Sequence, residues 1–111
     1  MKTVIYFYES AFMMWRQRLA GIYAVAQHEK WHVEAVDVGE LDDGIKSVLK
    51  YWSPDGVIVE GGVFRHRGCG PSEFANVIAV YCDADTARIG GDYFGCNEKV
   101  FWIFRVINVN L

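Results

Sequence analysis

Five carboxylates, Glu9, Glu60, Asp83, Asp85 and Asp92, stand at or just after the ends of short apolar or Gly-marked runs. Acids placed together there can hold a divalent cation through oxygen ligands, or accept hydrogen bonds from sugar hydroxyls. The ordinary alternative is that polar residues at loop starts are only solvated. Glu9 has distinctive company. Tyr8 and Ser10 flank it, and Phe12 and Trp15 follow within the next few positions. Aromatic faces at the edge of a cleft suit stacking on a sugar ring.

Other chemistry is weakly supported. "HRGCG", residues 66–70, offers one His and one Cys, whereas zinc requires roughly four ligands. Arg65, His66 and Arg67 beside Cys69 would lower its thiol pKa, yet no base or orienting partner is readable, so no catalytic residue is assigned. Gly61-Gly62 and Gly90-Gly91 match neither phosphate-loop pattern and read as tight turns. A phospho-receiver would need paired acids after the first strand and a Lys after the fifth, and neither is present. No metal and no cofactor is expected.

These residues need a scaffold. The chain has 111 residues, a net charge of −3, four Trp and seven Phe, which suits one domain with one core. The charge leaves no electrostatic footprint for nucleic acid. Three scattered cysteines without a CxxC indicate neither a zinc site nor a disulfide framework, and fit reduced thiols in the cytoplasm. The amino-terminal apolar run is broken by Glu9 and lacks a cleavage site, so it does not read as a signal peptide. No run is long enough to span a membrane.

Residues 4–8 form a continuous apolar run suited to a strand buried on both faces. Ser10 is a candidate N-cap for an amphipathic helix of about five turns ending near Lys30. Phe12, Trp15, Leu19, Ile22, Tyr23 and Ala26 lie on its apolar side, with Arg16, Arg18, Gln27 and Lys30 opposite. Strands are predicted over 32–38, 57–59 and 77–82, with a short fifth from Ile89. A second helix is predicted over 41–52, and a short one from Pro71 to Phe74. This order predicts an α/β, Rossmann-like (flavodoxin-like) three-layer sandwich with a mainly parallel sheet of about five strands. Such sheets bind ligands at the carboxyl ends of their strands, where Tyr8, Glu9 and Ser10 fall. The tail, 99–111, is strongly apolar and carries no stop signal, so a second copy of the chain is a candidate to cover it.

Three stretches also carry a resemblance. "GIYAVAQHEKW" (21–31) and "WSPDGVIVEG" (52–61) are similar to the first helix and third-strand entry of xylose-operon activators. "IAVYCD" with "IGGDYFG" resembles the fourth and fifth strands of the wider lactose-repressor and periplasmic sugar-binding superfamily. The match covers roughly residues 3–98. It implies the amino-terminal lobe of a two-lobed effector domain closing on a small carbohydrate, with the DNA reader elsewhere. Carried over by position, Tyr8, Glu9, Ser10, Phe12 and Trp15 would face ligand, with Gly61, Gly62 and Asp92 lining the cleft; Asp83 joins them as a strand-end acid. Family dimers pair through this lobe, so a homodimer is expected.

The tail departs from the family pattern, so the chain reads as a truncated, non-enzymatic lobe in residues 1–98 with an atypical tail in 99–111. It would contact neither DNA nor membrane and would bind sugar weakly. The alternatives are a small flavodoxin-like Mg-dependent enzyme or phosphate-binding domain, and a periplasmic transport protein.

Overall fold

Val4, Ile5, Tyr6 and Phe7 include no polar alternation, so a strand made of them must be covered on both faces. All four are fully buried. They form the middle of β1 (Thr3–Tyr8) in a computed structural model that describes residues 1–11, 15–41, 43–65, 69–82 and 93–94. β1 lies between β2 (His32–Asp37) and β3 (Gly56–Glu60), and β4 (Ala79–Cys82) lies beyond β3. Every pairing is parallel, with Phe7 opposite Val36 and Val59, and Tyr8 opposite Asp37. The sheet therefore has four full strands, not about five. The remaining pairing is a two-residue β5 (Tyr93–Phe94) against β4, and Ile89 lies outside the described residues.

The order β2-β1-β3-β4-β5 means that the chain leaves β1 in one direction and later returns past it in the other. Two right-handed crossovers of opposite direction put their helices on opposite faces. α1 (Trp15–Glu29) packs Ile22 and Ala26 with Val4, Tyr6, Ile58 and Val80. α2 (Ile45–Trp52) packs Ile45 with Ile5, Phe7, Val57 and Val59, and Val48, Leu49 and Trp52 border that cluster. The result is the expected α/β three-layer arrangement.

Two helix assignments change. The apolar face of α1 excludes Tyr23, which is 47% exposed, and includes Arg18, which is 1% exposed. Arg18, Ile22 and Ala26 are spaced by four residues and so share one stripe. α2 starts at Ile45, not near Leu41. Val38–Glu40 turns as a 3-10 helix capped by the Asp37 carboxylate, and Gly44 then takes φ 82 as the N-cap. That backbone conformation favours glycine.

Both helices end by left-handed residues. Lys30 has φ 61, and the Trp31 N–H donates to the Ala26 carbonyl at 2.9 Å, the closing bond of a Schellman motif. Ser53 has φ 44 and its N–H donates to the Leu49 carbonyl at 2.8 Å. A side chain in this conformation is strained. Ser53→Gly is therefore expected to raise stability by about 0.5–1 kcal/mol after the added chain entropy of glycine is counted. Urea unfolding would show a higher midpoint at an unchanged slope.

Past this turn the Asp55 N–H donates to the Thr3 carbonyl and its carboxylate accepts from the Thr3 N–H, both at 2.8 Å. The turn thus fastens the start of β3 to β1. No helix among the described residues is long and apolar enough to cross a membrane. Residues 99–111 lie outside the described residues.

Candidate functional site

A parallel sheet has a crevice where successive crossovers diverge, at the carboxyl ends of the strands on either side of the reversal. Here that point lies between β1 and β3. Tyr8 and Glu9 stand at this end of β1, and Glu60, Gly61 and Gly62 at this end of β3. The sequence-predicted residues Tyr8, Glu9, Ser10, Gly61 and Gly62 thus share one end of the sheet, and Trp15 joins them at the start of α1. Phe12, Asp83 and Asp92, also predicted to face ligand, lie outside the described residues, as does Asp85.

The aromatics form a column. Tyr6 and Tyr8 both belong to the α1 side of the sheet because they alternate along β1. Their rings stack at 5.5 Å with 19° between planes. The Tyr8 ring stacks in turn on Trp15 at 4.6 Å and 20°. The Arg16 guanidinium lies 5.3 Å from the Trp15 ring centroid, within cation–π range. The column runs from the fully buried Tyr6, through half-buried Tyr8 and Trp15, to exposed Arg16. Desolvation raises the Tyr8 phenol pKa, and the charges of Asp37 and Glu40 raise it further. Tyr8 is therefore a neutral hydroxyl at neutral pH.

Beside the column two carboxylates meet over Gly39. A Cβ built on Gly39 would stand 3.1 Å from Glu9 Oε2 and 3.3 Å from Asp37 Oδ1, so a side chain here must displace both acids. Glu9 Oε1 accepts from the Ala11 N–H at 3.0 Å. Asp37 Oδ1 accepts from the Gly39 N–H at 3.0 Å and from the Ser10 N–H at 3.4 Å. Asp37 ties the loop after β1 to the turn after β2, while the Glu9–Ala11 bond stays within its own loop. Ser10 is accordingly part of this loop brace, and the first described residue of α1 is Trp15.

Asp37 was not singled out from sequence. The signal was available, since it ends a strand as Glu9 does.

Beneath the column lies a charged network. Arg18 Nε donates to Glu60 Oε1 at 2.5 Å, and the Tyr6 hydroxyl donates to the same oxygen at 2.7 Å. Glu60 is only 8% exposed. Its role as a surface strand-end acid is therefore corrected: this carboxylate is already engaged from within. Arg18 was expected on the polar side of α1, and is instead buried because Glu60 and Tyr6 await it there. Tyr6 holds its proton far above the usual range because burial and the Glu60 charge both oppose phenolate.

Cys69 also departs from expectation. It is buried, and desolvation, assisted by the Glu73 charge, raises its thiol pKa. The expected lowering by neighbouring cations is not found; His66 and Arg67 lie outside the described residues. Among the described residues no group of three or more His, Cys, Asp or Glu could hold a metal ion.

The geometry defines the class: a parallel α/β domain with aromatic rings and carboxylates gathered at the carboxyl ends of its strands. Searches for relatives return no matching family model, no matching curated protein and no matching solved structure.

Proposed function

We propose that the chain is a carbohydrate-effector-binding lobe of a transcription regulator, holding its ligand at the carboxyl ends of its strands. The observation that supports this is the Tyr8–Trp15 ring stack set beside the carboxylates of Glu9 and Asp37. A sugar presents an apolar C–H face and a rim of hydroxyls. The partly exposed Trp15 ring matches the first, and the Asp37 carboxylate, as an acceptor, matches the second. A second lobe would enclose the sugar from the other side, and its closure would reposition a DNA-binding part. On this reading the chain works in the cytoplasm as a homodimer, is not an enzyme, and needs no metal or cofactor.

The test is saturation-transfer NMR of the chain with D-xylose, L-arabinose, D-ribose and D-glucose, followed by thermal shifts with the same sugars. One lobe covers one side of a ligand, so contact in the millimolar range is expected for at least one sugar. Trp15→Ala and Asp37→Asn should each weaken it about tenfold, the loss of one stacking face or one charge-assisted hydrogen bond. Equal signals from all sugars, unaltered in both variants, would sink the reading. A thermal shift with Mg²⁺ in place of sugar would favour a Mg-dependent enzyme.

A further inference from the structure

We infer that a second groove, along α2 and away from the switch point, binds a small organic phosphomonoester. It has a volume of about 370 Å³ and lies between α2 and the 3-10 turn Pro71–Phe74. Its walls include the residues that immediately precede β3 and the approach to β4, so it opens towards the amino ends of these strands. The switch-point crevice lies at their carboxyl ends. The two sites are therefore independent, and failure at one leaves the other untouched.

The groove is lined chiefly by donors. Lys46 and Lys50 are four residues apart and stand on one face of α2, with Ser72 and Asn76 across from them. Like charges at this spacing repel. Neither lysine makes an ion pair or hydrogen bond among the described residues, and both are exposed. Two ammonium groups without an ion pair among the described residues, a hydroxyl and a side-chain amide suit an anion with several acceptor oxygens, for which Lys serves as a point charge. Leu49 and Val77 supply an apolar floor for the organic part. The volume is that of a small-molecule site. The chain's net charge of −3 disfavours a long polyanion, which would meet repulsion beyond the groove.

Glu73 also lines the groove and makes the proposal sharper. A carboxylate there opposes an anion, so its removal must tighten binding while loss of either lysine loosens it. A crevice with no anion function would show neither response.

The experiment is a titration of the full chain with glycerol 3-phosphate, followed by amide chemical shifts, with glycerol and inorganic phosphate as separate arms. Expected are saturable shifts at Ser72, Asn76 and Lys50, with glycerol inert and inorganic phosphate weaker. Lys46→Gln and Lys50→Gln should each loosen binding about threefold to fivefold, and Glu73→Gln should tighten it about threefold, as suits exposed charges. All three positions lie outside the cores, and unchanged spectra away from the groove will show that the variants fold. Shifts that do not saturate, an equal response to glycerol, inorganic phosphate binding as tightly as the ester, or indifference to the three substitutions would each overturn the proposal.

Discussion

Arg18→Ala is expected to destabilise the protein by about 3–5 kcal/mol, because it leaves the Glu60 carboxylate buried without its cation. That is a large part of the roughly 5–15 kcal/mol that holds a domain together. Arg18 and Glu60 are 1% and 8% exposed, and among the described residues the Tyr6 hydroxyl would remain against Glu60 Oε1. Replacing the whole network by apolar residues of similar volume should recover most of the loss. Tyr6→Phe with Arg18→Met and Glu60→Leu is therefore predicted to lie far closer to the parent than Arg18→Ala alone, measured by urea unfolding. If the single substitution cost less than about 1 kcal/mol, as an exposed pair would, the buried network would be wrong.

The same network sets an alkaline limit. An unfolded tyrosine ionises near pH 10. Folded Tyr6 keeps its proton above that, since burial and Glu60 both oppose the phenolate. Above about pH 10 the unfolded chain binds fewer protons than the folded one, so stability falls as pH rises. Tyr6→Phe should flatten that fall, leaving the smaller contributions of Tyr8 and Tyr81, which are also raised.

Phe74→Ala carries the second large effect, a loss of about 3–5 kcal/mol with a cavity left in the α2-side core. Phe74 is 2% exposed. Its ring meets Phe7 edge-on at 5.4 Å, with Phe64 at 6.3 Å and Tyr81 at 6.4 Å. It places the Pro71–Phe74 turn in the core, so its removal should also release the turn. Cys69 provides an independent readout. Its buried, raised thiol should react slowly with an aromatic disulfide reagent near neutral pH in the parent, and substantially faster in Phe74→Ala. Equal thiol rates, or a loss near 1 kcal/mol, would show that the turn is held by something other than this ring.

The parts of the fold legible in the sequence were those that periodicity controls. The run Val4–Phe7 could only be a doubly covered strand, and Ile45, Val48, Leu49 and Trp52 could only be one helical face. The start of α2 was misread because Gly44 interrupts a pattern that apolar spacing alone would carry back to Leu41; the backbone needed φ 82 there before the helix could begin. Arg18 was misread because its charge outweighed its position. Its spacing with Ile22 and Ala26 put it in the buried stripe, and Glu60, an acid closing the wholly buried segment Gly56–Glu60, was the partner to look for. The placement of Tyr8, Glu9 and Ser10 at the end of β1 followed from strand-end logic. The bond from the Ser10 N–H to the Asp37 carboxylate did not, because it depends on which strands are neighbours.

The position of β1 has a consequence for synthesis. β1 is made before both of its neighbours, yet it lies between β2 and β3, and its Thr3 N–H finds its acceptor on Asp55, 52 residues later. At about 5–20 residues per second, this apolar segment waits several seconds for its second neighbour. Pairing it then requires closing a long loop, which slows folding. During that interval a bare strand such as TVIYFY is a template for other chains. The yield of native protein should therefore depend on how quickly translation reaches β3, and synonymous slow codons placed between β2 and β3 would lower it without altering a single contact of the finished fold.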